Sequence, residues 1–283
     1  MIEKLIKIYN DKIVLKVEKY DYSKYYYFYT NNETDDVFGI EKTISQNEYQ
    51  LIKSSYIEKK IYNNNNVLQR IYEYLFENKP YPFKNNKVKI LLIESDYKEF
   101  KELLLSFYKE VELIVIDNLY VAFCFESYHD DVSNFVATLS DDLGISFKLH
   151  EGMNISNRIE GVVVRKYIGI VKKFLNNNEE LYTDVSSVLL TIDDNLFKEY
   201  VSIINNYLFE AVLSDSFVKD TVLTYFKNDL NVSKTAKDLY INRNSLLNKF
   251  EQIYKETGFN LQKFSHACAI YLLIIYKGNQ KQW

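Results

Sequence analysis

Seven residues in one short stretch have the types and spacing to touch a base pair. They are Asn242, Arg243, Asn244, Ser245, Leu247, Asn248 and Lys249, within Asn231 to Gly258, NVSKTAKDLYINRNSLLNKFEQIYKETG. Arg and Asn side chains carry paired hydrogen-bonding groups that match base edges in the major groove, and Lys suits a phosphate. Leu246, Phe250, Ile253 and Thr257 recur at i, i+4, i+7 and i+11, which predicts one buried helical stripe. With that stripe turned inward, the opposite face presents Arg243, Asn244, Leu247, Asn248 and Glu251, with Ser245 and Lys249 at its sides. Periodicity alone is equally consistent with a plain helical hairpin whose polar face is solvated.

Other elements must hold that face in place. Ser233 is a suitable N-cap for a short preceding helix with Ala236 and Leu239 on its apolar side. After Tyr240 and Ile241, Asn242 can cap the second helix, and Gly258 can close it. Asn260 is expected to cap a third helix whose Leu261, Phe264, Cys268, Tyr271, Leu272 and Ile275 pack back on the pair. A small residue where two helices touch, with apolar residues on either side of the turn, fits a helix-turn-helix.

Thr235-Ala236-Lys237-Asp238-Leu239, then Asn242-Arg243-Asn244-Ser245-Leu246 and Lys249-Phe250, resembles the Fis-like helix-turn-helix at the C-terminus of PucR-type regulators. That family's pattern runs approximately T-A-x-x-L-x-V-H-R-N-T-L-x-x-R-L, with a helix ending in T-G that Thr257-Gly258 matches. The departures are Asn242 for His, Ser245 for Thr, Leu247 for a commonly basic residue and Lys249 for Arg. The resemblance implies DNA contact by Arg243, Asn244, Ser245 and Lys249, and places Leu247 nearer to thymine methyl groups. It further implies a bacterial, cytoplasmic transcription regulator of the PucR/CdaR type, with double-stranded DNA as partner and an effector still to be identified.

Charge agrees with such a division of labour. The 283-residue chain carries a net −4, but residues 215–283 hold ten Lys and Arg against six Asp and Glu, a balance of +4 that leaves −8 for residues 1–214. An acidic body with a basic end is the asymmetry expected when one end approaches phosphate. The 26 Tyr and 18 Phe are expected mainly in and around cores.

Upstream, Pro80 and Pro82 in Glu77 to Lys87 mark a boundary. Before it, Lys12 to Tyr20 and Lys24 to Thr30 read as strands, Asn31 to Asp36 as a turn, and Ser45 to Lys60 and Asn66 to Asn78 as helices. After it come a strand at Lys87 to Ile93, a helix at Tyr97 to Tyr108, strands at Val111 to Ile116 and Leu119 to Phe125, a helix at Asp130 to Leu143 and a strand at Ile145 to His150. The order β-α-β-β-α-β resembles the degenerate GGDEF-like domain of PucR/CdaR-type regulators. Active relatives place Gly-Gly-(Asp/Glu)-Glu-Phe in the hairpin that here reads Ile116-Asp117-Asn118-Leu119-Tyr120, with no glycine and one carboxylate. Asp117 is better explained as a turn former.

The expected fold class is therefore multidomain α+β. A small N-terminal α+β domain (1–80), which could be sensory, precedes the degenerate GGDEF-like domain (87–157). A helical connector or dimerisation region (158–214) leads to the all-α helix-turn-helix domain (215–283). Catalysis is not expected: His129, His150 and His266 lie in unrelated contexts, and no Gly-rich phosphate loop or nucleophile elbow occurs. Cys124 and Cys268 lack metal-site spacing, so neither a metal nor a cofactor is expected. No apolar run reaches membrane-spanning length, and Met1 to Asn10 does not read as a signal segment, so neither a membrane partner nor export is expected. A homodimer is expected, with Val162, Val163, Tyr167, Ile170, Val171 and Phe174 as one source of pairing surface and the intrachain core as the other use for them. A non-catalytic interaction scaffold is the alternative function, and a cyclase-like enzyme a distant third.

Overall fold

The computed structural model describes residues 2–15, 17, 20–30, 36–60, 66–84, 86–128, 132–144, 146–191, 194–204 and 216–280. They form two compact units, one of residues 1–82, 115–118 and 160–165, the other of 83–114, 119–159 and 166–283. The architecture is mixed α and β, with two sheets and a helical C-terminal region.

In the first unit, β1 (Ile13–Val14), β3 (Val37–Glu41) and β2 (Tyr25–Tyr29) form an antiparallel sheet with β3 in the centre. Helix α1 (Ile2–Tyr9), helix α2 (Gln46–Ser55) and the sheet bury Tyr9, Phe28, Phe38, Ile40 and Ile52 together. Ser45 starts α2 through a capping box with Glu48, satisfying two backbone donors at once. Helix α3 (Asn66–Phe76) buries Ile71, Tyr74 and Leu75 as the periodicity predicts. The sequence reading missed α1 and β3, and its first strand shrinks to two residues. The turn expected at Asn31 to Asp36 lies, but for Asp36, outside the described residues.

The second unit is organised by a five-stranded sheet. Strands β4 (Val88–Ser95), β5 (Tyr108–Ile116), β6 (Leu119–Ser127), β7 (Phe147–Ile155) and β8 (Tyr182–Asp184) lie in the order β5-β6-β4-β7-β8. β4 pairs antiparallel with both β6 and β7, and β8 runs parallel to β7. Asp117 and Asn118 join β5 to β6 with φ of 50° and 66°, the pair of positive values a two-residue type I′ turn demands and Asp and Asn tolerate. Gly152 lies where β7 shifts register against β4; a Cβ there would stand 2.7 Å from the Ile90 carbonyl oxygen.

Alternation along the strands sends two sets of side chains to opposite faces. Leu91, Ile93, Ala122, Cys124, Phe147 and Leu149 face helices α4 (Phe100–Leu105) and α5 (Val132–Leu143), which add Phe100, Leu104, Val132 and Val136. On the other face His150 meets α6 (Gly161–Asn176) at Tyr167 and Phe174. Val163, Tyr167, Ile170, Val171 and Phe174 are buried and Val162 is half-buried, so five of the six apolar residues suggested for chain pairing are intrachain core. Two short helices follow β8, α7 (Val185–Thr191) and α8 (Asp194–Ile204). β8 itself was expected as helix: three residues, Tyr-Thr-Asp, are too few to display a period, and their pairing with β7 decides their state.

His150 is fully buried, its Nε2 2.9 Å from the Tyr167 hydroxyl and its Nδ1 3.0 Å from Thr183 Oγ1. Burial pushes its pKa down to about 4, against the opposing pull of Asp184 and Glu151. The unfolded chain therefore binds a proton near pH 6.5 that the folded chain refuses, so His150 lowers stability as pH falls from about 6.5 towards 4. The loss amounts to about 3 kcal/mol, on the order of 1.4 kcal/mol per pKa unit. Urea titrations across this window are expected to show a steeper decline for the natural chain than for His150→Gln. Parallel declines would contradict the assignment.

Candidate nucleic-acid interface

Four helices make the C-terminal region: α9 (Ser216–Lys227), α10 (Val232–Asp238), α11 (Arg243–Thr257) and α12 (Phe264–Gln280). Asn231, not Ser233, caps α10, its side chain accepting from the Lys234 N–H. Both residue types suit the role, and an Asn two residues further back gives α10 an extra half turn. Buried Asn228 ties the corner before α10 to its far end by donating to Asp238 Oδ2 at 2.8 Å.

Tyr240 and Ile241 turn the chain from α10 into α11. Tyr240 takes φ of 54° and is 96% exposed, an unusual conformation for an aromatic residue and an unusual place for its ring. Asn242 caps α11 as expected, its side-chain oxygen accepting from the Asn244 N–H at 2.8 Å. Leu246, Phe250, Ile253 and Thr257 are all buried, as the spacing predicts. Phe250 packs against Tyr225 of α9, ring centroids 4.8 Å apart. Gly258 ends α11 in the left-handed conformation, φ 84°, which a Cβ would disfavour.

The residues singled out from the sequence thus share one end of one helix, but not one environment. Arg243, Asn244, Ser245 and Asn248 are exposed. Asn242 is exposed as well, with its oxygen engaged in the cap. Leu247 is half-buried. Lys249 is half-buried too, its ammonium 5.2 Å from the centre of the Phe217 ring. From Arg243 to Glu251 the exposed face runs about 12 Å along the axis at about 1.5 Å per residue, close to the width of a major groove.

The other end of α11 is built into the sheet of the same unit. The Asn154 side-chain amide donates to the Tyr254 carbonyl at 2.9 Å and to the Lys255 carbonyl at 3.3 Å. Half-buried Lys89 pairs with Glu151 and donates to the Tyr254 hydroxyl at 2.9 Å, and Tyr182 donates to the second Glu151 oxygen at 2.6 Å. Burial alone would raise the Glu151 carboxyl, but Lys89 and Tyr182 hold it below its ordinary value. Lys87 pairs with Glu256. Periodicity could not have revealed Asn154, Lys89 or Glu151, because each matters only through a contact distant in sequence.

Helix α12 is secured by a buried pair. The His266 Nδ1 accepts from the Asn260 N–H at 3.1 Å, which leaves Nε2 to donate to Asp184 Oδ2 at 2.9 Å. Burial works to raise the Asp184 carboxyl, but His266 and the hydroxyl and N–H of Ser186 hold it far below the carboxylate range. Asn260 opens a turn by accepting from the Gln262 N–H, and α12 starts only at Phe264. Besides His266, residues Ala267, Ala269, Ile270, Leu273 and Ile274 of that helix are buried, whereas Phe264, Leu272 and Ile275 are exposed and Cys268 is half-exposed. The stripe expected to pack inward is thus largely the outer one. Apolar side chains on every side of α12 give its pattern no phase, and its neighbours α7 and α9 select the buried face.

Among the described residues, no helix is long and apolar enough to cross a membrane. No curated protein sequence matches the chain. Among solved structures, the crystal structure of a regulator of polyketide synthase expression from Bifidobacterium adolescentis aligns over 70% of this chain and 82% of its own, at 12% identity and a TM-score of 0.34. Residues 219–275 match the model of the PucR C-terminal helix-turn-helix domain, a span that takes in α10, the turn at Tyr240 and α11. The chain therefore carries a PucR C-terminal helix-turn-helix domain over those residues.

Proposed function

We propose that the chain is a signal-responsive, sequence-specific DNA-binding transcriptional regulator that works in the cytoplasm as a homodimer. The observation that carries this reading is the domain match at 219–275 together with the exposed Arg243 and Asn244 on the second of its paired helices. Arg and Asn forks address guanine and adenine edges respectively. Asn248 and Ser245 extend the same face, and Leu247, at its margin, is suited to a thymine methyl group. Lys249 and the exposed Tyr240 hydroxyl are assigned to phosphate contacts. Asn242 serves the interface chiefly by fixing the start of α11.

The body of the chain is assigned sensing, not chemistry. Its β-α-β-β-α-β order is read as a degenerate GGDEF-like domain in which the Asp117–Asn118 turn lacks the glycines a nucleotide would approach. Purified protein with magnesium and nucleoside triphosphates is accordingly expected to form no cyclic dinucleotide. Formation that is lost in Asp117→Ala would overturn this.

One recognition helix offers too few side chains to select a site among a genome's competitors, whereas two helices a DNA turn apart multiply the discrimination. Since the apolar face of α6 is spent on the core, the pairing surface is assigned to the exposed stripe Phe264, Leu272 and Ile275 of α12. Sedimentation is expected to give a dimer for the natural chain and a monomer for Leu272→Lys, with the footprint shrinking from two half-sites to one. A monomeric natural chain that protects a single half-site would remove the dimer from the account.

The groove assignment is tested by Arg243→Ala and Asn244→Ala. Each is expected to weaken binding to a selected operator by roughly 1 to 3 kcal/mol, while Lys249→Ala weakens operator and random DNA alike. Unchanged operator affinity in both folded groove variants would remove the assignment.

A further inference from the structure

The second unit contains a cleft of about 380 Å³ between its sheet and the C-terminal half of α11. That volume lies within the range of about 300 to 1,000 Å³ typical of small-molecule sites. Phe107, Cys124, Phe125 and Val132 supply apolar wall, and Tyr254 of α11 lines the same space.

Two features define what would fit. First, the charged groups around the cleft already have partners: Lys89 with Glu151, Lys87 with Glu256, Lys255 with Glu251, and Glu126 with Lys109. A charged ligand would have to displace one of them, whereas an uncharged ligand would not. Second, Tyr108, only 3% exposed, lines the cleft, and its hydroxyl, itself closed to solvent, has no hydrogen-bond partner among the described residues. A buried hydroxyl left without a partner carries an uncompensated desolvation cost, which an incoming acceptor would offset. Burial also raises the phenol pKa well above its ordinary value, so the group remains a donor at any physiological pH.

We infer that this cleft binds a small uncharged molecule with an apolar, ring-sized body and one oxygen that accepts a hydrogen bond from the Tyr108 hydroxyl. The inference deepens the regulator reading and rests on it in one respect. Tyr254 and Lys255 belong to the helix that carries Arg243 and Asn244, about 15 Å further along at about 1.5 Å per residue, so occupancy would bias how the DNA-reading end is held.

The test uses the full chain and Prodan, an uncharged naphthyl ketone whose emission shifts to the blue in apolar surroundings. Saturable binding at one site per chain is expected. Tyr108→Phe keeps the ring and removes the donor, and is expected to weaken binding roughly three- to ten-fold. Val132→Trp fills the space and should abolish binding; if that variant fails to fold, Tyr108→Phe decides alone. Non-saturable binding, or affinity unchanged in folded Tyr108→Phe, would overturn the site. With Prodan saturating, operator affinity should change at least three-fold in the natural chain, and an unchanged affinity would overturn the coupling. A chain that binds Prodan as described but binds no DNA would refute the regulator reading while leaving the site in place.

Discussion

Helix α11 ends, like every α-helix, with carbonyls that its own backbone cannot satisfy, and the way the central sheet meets them fixes everything at its other end. The Asn154 amide reaches the Lys255 carbonyl and shares the Tyr254 carbonyl with the Gly258 N–H, which meets it at 2.7 Å. Around this junction Lys89, Glu151, Tyr182 and Tyr254 form one connected polar cluster. A rod about 22 Å long is therefore anchored to the sheet at its C-terminal turn, while its N-terminal turn buries Leu246 and exposes Arg243, Asn244 and Ser245. Side chains at that end inherit their position from the anchor.

Buried polar groups are costly unless satisfied, and removing one partner leaves the other stranded. The second unit places several such groups along one route: His150 between Tyr167 and Thr183, and Asp184, at the end of the same short strand as Thr183, beneath His266. Apolar surfaces alone would let helices slide over the sheet, because burial is non-directional. The His266 ring, with one nitrogen accepting from a backbone N–H and the other donating to Asp184, admits a single arrangement. Directional bonds thus supply the register of α12, and burial of Ala267, Ile270 and Ile274 supplies its attraction.

How much of this was legible in the sequence follows from where contrast exists. α11 alternates buried Leu246, Phe250 and Ile253 with charged and amide residues, so its inner face, cap and stop could all be read in advance. α12 is apolar nearly all round, so its helical state was legible but its orientation was not. The Asp117–Asn118 hairpin announced itself by residue type, while β8 is too short for any period. The core of α6 looked the same in sequence whether it faced its own sheet or a second chain, and packing against His150 settled it. Of the candidate site, the exposed face was predictable and the anchor was not: Asn154 and Tyr254 lie 100 residues apart and meet only in the folded chain.

The account turns on whether the N-terminal turns of α11 enter a DNA groove. An iron chelate attached at Ser245→Cys, on the exposed face between the cap and Leu246, would cleave DNA within reach of that residue. The expected result is strand cleavage confined to the major groove of the bound operator, at two positions about one helical turn apart. Cleavage no more localised than that from the same chelate at Lys219→Cys on α9 would contradict the central claim.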